Sequence, residues 1–226
     1  MSGKPKLYYC YGRGRMESIR WLLAVAGVEF EEEILETREQ FEALLQGGAL
    51  LFQQIPMVEI DGMKLVQTPA ILQYIAAKYN LYGKDLKERA LIDMYVGGTT
   101  DLMNPIMLYP FIAPELQEAH LNKIRQLAHN RYFPVYEKIL REHGNMYLVG
   151  KWFTWADVHL LEAILMVEEK FADLMADFPL LRDFKARISE IPTIKAFLQP
   201  GSQRKPVPDE KYVETVRRVL QLHHVT

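Results

Sequence analysis

Cysteine is nearly absent from this chain of 226 residues: Cys10 stands alone, so no internal disulfide can form. A lone thiol points to a reducing compartment, and a cytoplasmic location is the expectation. The six histidines are scattered, with His223 and His224 near the C-terminus. No Cys/His cluster has metal-ligand spacing, so no metal is expected. No apolar run approaches the ~20 residues needed to span a bilayer. Met1 to Pro5 leads straight into a strand and lacks the apolar core of a signal peptide. The net charge is only −2, which gives no reason to expect a nucleic-acid partner. There is no internal repeat and no low-complexity segment.

What is present is a 49% hydrophobic fraction, ample for a folded core. Lys6 to Cys10 reads as a short strand, followed by a Gly-Arg-Gly-Arg turn at 12–15. Met16 to Ala26 has helical spacing, with Ile19, Leu22, Leu23 and Ala26 on one face and Gly27 at its end. Phe30 to Leu35 suits a strand with one wet face. Thr37 with Gln40 forms a capping box for a helix to about Gln46. Strands over 57–60 and 63–66 are joined by an Asp61-Gly62 hairpin turn. Thr68 is expected as the N-cap of the next helix, with Pro69 at its first position. Ile71, Leu72, Ile75 and Ala76 form that helix's buried face. The order β-α-β-α-β-β-α fits a thioredoxin-like α/β domain.

Beyond Lys84 the strand signals stop and the chain reads as all-helical. Leu91, Met94 and Tyr95 start one helix, and Pro105, Pro110 and Pro114 are expected to interrupt the region that follows. A long helix from about Glu115 to His143 should bend near Pro134. Thr154 to Asp157 is an acidic capping box before the apolar run Val158 to Val167. Shorter helices follow near 179–189 and 193–198. A final amphipathic helix starts at Asp209, with Tyr212, Val213, Val216, Val219 and Leu220 on one face.

The stretch from Phe52 to Leu72 carries the most functional information. A proline before an edge strand removes a backbone donor and is able to sit cis, leaving nearby backbone groups for a ligand. Gln67 and Thr68 bring polar groups to a helix N-terminus, where an anion is favoured. An extended, carboxylate-bearing small molecule fits such a site. Tyr9 ends the first strand just before that turn. Its phenol is placed to donate to an anion, with Arg15 adding positive charge, although Tyr8 and Tyr9 also read as ordinary strand aromatics. Cys10 lacks a second cysteine three positions on, which disfavours a redox site and leaves a small apolar filler as the plainer reading. Asp101 and Arg131 fall on helices, where solvated faces explain most charged residues. Phe52 either folds back into its own core or inserts into a partner.

Several long motifs resemble alpha-class glutathione transferases. They are Gly14 to Ser18 with Arg20 to Leu23, Phe52 to Thr68, Leu86 to Tyr95, Asn130 to Pro134, Tyr147 to Gly150 and Phe197 to Ser202. The resemblance covers essentially the whole chain. It implies a thioredoxin-like glutathione-binding domain over 1–83 and an all-helical domain over 84–226 with a hydrophobic electrophile site and a C-terminal lid helix. It implies glutathione as co-substrate, no permanently bound cofactor, a cytosolic homodimer and detoxification of electrophiles. Tyr9 matches the family's catalytic tyrosine and Arg15 its supporting arginine. Gln54, Ile55, Pro56, Gln67 and Thr68 match glutathione-binding positions, with Ile55 contributing backbone and Pro56 cis. Asp101 and Arg131 match positions that reach glutathione from the partner subunit, and Phe52 matches the aromatic key of the dimer.

The same resemblance sets the electrophile-site positions as Cys10, Gly12, Asn104, Met107, Leu108, Phe111, Pro208, Tyr212, Val213, Val216, Leu220 and Leu222. Gly12 with Tyr212 resembles the subgroup that favours 4-hydroxyalkenals from lipid peroxidation, such as 4-hydroxynonenal, while Val216 and Cys10 argue against ketosteroid isomerisation. Two positions depart from the family. Leu45 stands where many relatives carry a basic residue, and Pro69 where they carry arginine. Those losses keep open an alternative, a non-catalytic carrier of steroids, bilins or fatty acids, against which Tyr9 and Arg15 speak.

Overall fold

The computed structural model describes residues 3–144 and 146–221, excluding the side chain of residue 143. Its first part contains strands β1 (Lys6–Tyr9), β2 (Glu31–Ile34), β3 (Met57–Ile60) and β4 (Met63–Val66). They form one mixed sheet in the order β2-β1-β3-β4. β1 pairs parallel to β2 and antiparallel to β3, which puts Tyr9 at the C-terminal end of an interior strand. Helices α1 (Glu17–Val25), α2 (Arg38–Gln46) and α3 (Thr68–Lys78) complete the expected β-α-β-α-β-β-α order.

Local chemistry accounts for most of these boundaries. Thr37 and Gln40 form the capping box of α2 as expected. Asp61 and Gly62 both have positive φ, the geometry of the two-residue hairpin turn that matches strand twist. Gly27 ends α1 at φ 69°. The start of α3 differs from the expectation. Thr68 is the first helical residue and Gln67 occupies the cap, without a side-chain capping bond. Gln67 sits at φ 71°, a conformation most side chains avoid. Because the chain turns one residue earlier, Thr68 Oγ1 is not used as a cap; it is buried without a hydrogen-bond partner.

From α4 (Leu86–Leu108) onward the described chain is helical, through α5 (Gln117–Leu127), α6 (Phe133–His143), α7 (Trp155–Glu168), α8 (Pro179–Ser189), α9 (Pro192–Leu198) and α10 (Glu210–Leu220). Pro105 does not interrupt α4 as expected; the helix continues to Leu108 and then tightens into a 3-10 turn that contains Pro110. One proline forfeits a single ladder bond, which a long packed helix tolerates. A π-helical turn, Ala128–Tyr132, lies between α5 and α6. Pro134 stands two residues after its end. Its ring and missing N–H disfavour the regular ladder to residue 130, so the irregularity falls where the proline predicts.

α7 runs through the middle of the helical part, buried nearly all round. Asp157 caps its start, accepting from Thr154 N and Leu148 N at 2.8 Å each. The helical part grips the sheet part through α1, where the Trp21 ring meets Phe197 edge-on at 4.9 Å. A polar contact reinforces that grip, since Ser18 Oγ donates to Glu162 Oε2 at 2.6 Å; within the sheet part, Arg20, fully buried, bonds Glu17 and Glu32. No described helix is long and apolar enough to cross a membrane.

Candidate functional site

Two clefts meet near the end of β1. The larger, about 570 Å³, is lined by Arg15, Phe41, Gln53, Gln54, Ile55, Pro56, Gln67, Thr68, Pro69 and Leu220. Every glutathione position implied within the sheet part lines it. The Ile55-Pro56 bond is cis, and Gln67 Nε2 reaches Gln54 Oε1 at 3.4 Å. The N-terminus of α3 opens on this cleft with unpaired backbone donors, a setting that favours a carboxylate. The unpartnered Thr68 Oγ1 is a further polar atom that a ligand would satisfy. Arg15 supplies the cleft's cationic side chain.

The second cavity, about 450 Å³, lies between the C-terminal end of α4, the second half of α7 and α10. Met107, Pro208, Tyr212 and Val213, four of the expected electrophile positions, line it. The others fall elsewhere. Cys10 and Val216 are buried in the core, and burial pushes the Cys10 thiol up to about 11, which keeps it protonated and inert. Gly12 backs the Tyr212 ring; a methyl group there would lie 2.2 Å from Tyr212 Cδ2. Phe111 meets Tyr212 edge-on at 6.1 Å. Asn104 is half-buried with Oδ1 unpartnered, and Leu108 is exposed. Leu220 turns to the polar cleft, and Leu222 lies outside the described residues.

Tyr9 lines neither cleft itself but bonds a residue that does. Its Oη accepts the Arg15 backbone N–H at 3.2 Å. The peptide that makes this bond joins Gly14, which lines the apolar cavity, to Arg15, which lines the polar cleft. A methyl group on Gly14 would fall 2.3 Å from Tyr9 Oη and 2.7 Å from Tyr212 Oη, so both phenols close on the same point. Burial raises the Tyr9 pKa above that of an ordinary phenol, so the hydroxyl remains a proton donor at neutral pH. Burial also raises Tyr212, reinforced by Tyr9 beside it.

Asp101 and Arg131 are exposed and line neither cleft of the single chain. The Arg131 guanidinium rests 5.3 Å from the Tyr132 ring. Phe52 is 58% exposed, not folded into its own core. The sequence did not point to the wall of the apolar cavity formed by Glu162 and Met166 on α7 and by Glu169 and Lys170 just beyond it. The available signal was a glutamate inside the apolar run Val158 to Val167, a residue type seldom buried without a reason. It also missed Arg13, which braces this cavity by donating to Glu169 Oε2 at 2.7 Å and to Lys205 O at 2.8 Å. Among the described residues, no group of three or more His, Cys, Asp or Glu is arranged to hold a metal ion.

Comparison with known proteins agrees with this geometry. Residues 5–77 match the family model described as glutathione S-transferase, N-terminal domain, and residues 100–201 the model for its C-terminal domain. The chain is 67% identical over 224 residues to Glutathione S-transferase 3 of Gallus gallus, covering 99% of this chain and 98% of that protein. It is 67% identical to Glutathione S-transferase alpha-4 of Rattus norvegicus, covering 98% of this chain and all of that one. Its identity to Glutathione S-transferase A4 of Homo sapiens is 57%, with 98% and 100% covered. Among solved structures, the glutathione S-transferase from Ascaris lumbricoides superposes with a TM-score of 0.78 at 29% identity, covering 92% of this chain and all of that one.

Proposed function

Because the chain belongs to the alpha class of the glutathione S-transferase family, and is a transferase with glutathione as co-substrate, we propose that Tyr9 activates the glutathione thiol for attack on hydrophobic electrophiles, 4-hydroxyalkenals among them. The observation that carries this reading is the Tyr9 hydroxyl at the junction of a polar and an apolar cleft, anchored by the Arg15 N–H and still protonated.

A free thiol with a pKa of ~8.5 is only a few per cent thiolate at neutral pH. A phenol O–H donated to sulfur favours the thiolate, and the Arg15 guanidinium adds positive potential. The thiolate adds to the β-carbon of an alkenal, the electron pair moves to the carbonyl oxygen, and a proton then joins the α-carbon. In this reading the Tyr212 hydroxyl hydrogen-bonds that carbonyl oxygen as charge develops on it. Holding both reactants beside one hydroxyl supplies further acceleration by proximity. Ile55 presents backbone to the cysteinyl part of glutathione, Gln67 and Thr68 hold the γ-glutamyl end, and Gln54 lies alongside. Leu45, half-buried and apolar, offers no charge to the glycine carboxylate, so that end is held more weakly than in relatives with a basic residue.

The same reading extends to assembly. We assign residues 1–83 to the glutathione domain and 84–226 to the electrophile domain of a cytoplasmic homodimer. Exposed Phe52 enters the partner, and Asp101 and Arg131 complete the partner's glutathione site. Pro69 supplies no charge there. The test is a substrate profile with 1-chloro-2,4-dinitrobenzene and 4-hydroxynonenal in the wild type and in Tyr212→Phe. The expected result is turnover of both by the wild type and a selective loss of alkenal activity in the variant. Equal losses on both substrates would count against the role of Tyr212.

A further inference from the structure

The apolar cavity is lined by a buried residue whose carboxylate keeps one oxygen without a donor among the described residues. Glu162, on the α7 wall, is 3% exposed. Its Oε2 takes the Ser18 hydroxyl at 2.6 Å and lies 3.6 Å from His159 Nδ1. Its Oε1 accepts no hydrogen bond from the described residues, and Glu162 lines both this cavity and a small void shared with Ser18 and His159. The neighbouring buried carboxylate, Glu17, is different. Its Oε2 accepts from Arg20 Nη1 at 2.9 Å and its Oε1 from Lys205 N at 3.1 Å. Ile106, Met107, Met166 and Val213 give the same cavity its apolar lining.

Resting on the electrophile-site reading above, we propose that Glu162 determines specificity within that cavity, selecting electrophiles whose tail ends in a hydroxyl. An alkyl tail packed against Oε1 would displace water and leave that oxygen bare. A tail with a terminal O–H replaces the lost water bond. Discrimination of this type exceeds what apolar fit supplies, because the penalty falls on the protein's own unpaired group. A carboxylate tail is disfavoured. It would face Glu162 directly, and Asp209, Glu210 and Glu214 line the same cavity. Of the cations there, Arg13 is committed to Glu169, and Lys170 lies over the Tyr109 ring at 4.7 Å. Arg217, the remaining one, stands on α10 within a lining where carboxylates outnumber cations.

The experiment compares kcat/KM of the full-length enzyme for trans-2-alkenals of graded chain length that end in methyl, hydroxyl or carboxylate. At the chain length that reaches Glu162, the hydroxyl-ended compound should exceed the methyl-ended one by about tenfold, with the carboxylate-ended one lowest. In Glu162→Leu the hydroxyl preference should vanish. In Glu162→Gln it should persist while the carboxylate-ended compound gains, since an amide also donates and carries no charge. Equal values for methyl and hydroxyl tails at every length in the wild type would overturn the proposal, as would a preference for the carboxylate or an unchanged preference in Glu162→Leu. Turnover without tail discrimination would overturn this proposal alone. No turnover of any alkenal would overturn the alkenal reading and this proposal together.

Discussion

Replacing Tyr9 with phenylalanine removes one oxygen and one proton from the junction of the two clefts. The ring is 9% exposed and packed at the end of β1, so Phe keeps the shape of the site. What is lost is a donor whose oxygen is already fixed by the Arg15 N–H at 3.2 Å. A hydrogen bond to a charged partner contributes about 1.5–3 kcal/mol. That corresponds to ~1–2 units of thiol pKa, so a thiol of pKa ~8.5 would titrate near 6.5–7.5 when bound to the wild type. Tyr9→Phe should therefore lower turnover at pH 7 by about 8- to 25-fold, the ratio of the two thiolate fractions. Glutathione affinity should change little, because the polar cleft holds the rest of the molecule.

The sign with pH follows from the same argument. The wild-type rate should level off above the bound thiol's lowered pKa. The variant's rate should keep rising toward ~8.5, so the gap narrows as pH rises. The assay is kcat/KM for glutathione against pH, paired with ultraviolet titration of the bound thiolate. If the two pH profiles superimpose, the hydrogen bond from Tyr9 does not set the thiol pKa and the reasoning fails.

Two further predictions concern stability. Asp157→Ala leaves the Thr154 and Leu148 N–H groups buried and unpaired, each held at 2.8 Å in the native protein. It should cost about 3–5 kcal/mol, against about 1 kcal/mol for Thr154→Ala, read by urea unfolding at fixed protein concentration; equal costs would refute the account of this cap. Burial, opposed by Arg20 and assisted by Glu162, pushes the Glu17 carboxyl up to about 7. The folded chain then keeps a proton that the unfolded chain loses from about pH 4.5 upward. Wild-type stability should therefore fall as pH rises through that window by up to about 3 kcal/mol more than that of Glu17→Gln, and a flat difference would contradict it.

Much of the fold was legible because its signals are local. The capping boxes at Thr37 and Thr154, the Asp61-Gly62 turn and the two strands it joins each act within a few residues, and each appears where the sequence puts it. The cap at Thr68 was misread because a threonine before a proline has two uses, and the local pattern is the same for both. Pro105 was misread because the cost of one missing bond is judged against the packing of a long helix, which lies far away in sequence. The electrophile positions were only partly legible. An amphipathic helix declares which face is buried but not which neighbour it meets, so Leu220 faces the polar cleft and Val216 the core.

The sequence by itself determined the order of elements, the family, and Tyr9 with Arg15 as the candidate pair. Those follow from motifs and periodicities carried by contiguous residues. Only the tertiary structure decided that the peptide between Gly14 and Arg15 divides two clefts, with the Tyr9 hydroxyl at their junction. Only the tertiary structure turned Glu162 from an oddity in an apolar helix into a buried carboxylate that lines the apolar cavity and is held there by Ser18. Burial and hydrogen-bond satisfaction depend on partners more than a hundred residues away, such as Ser18 for Glu162, and no local pattern encodes them.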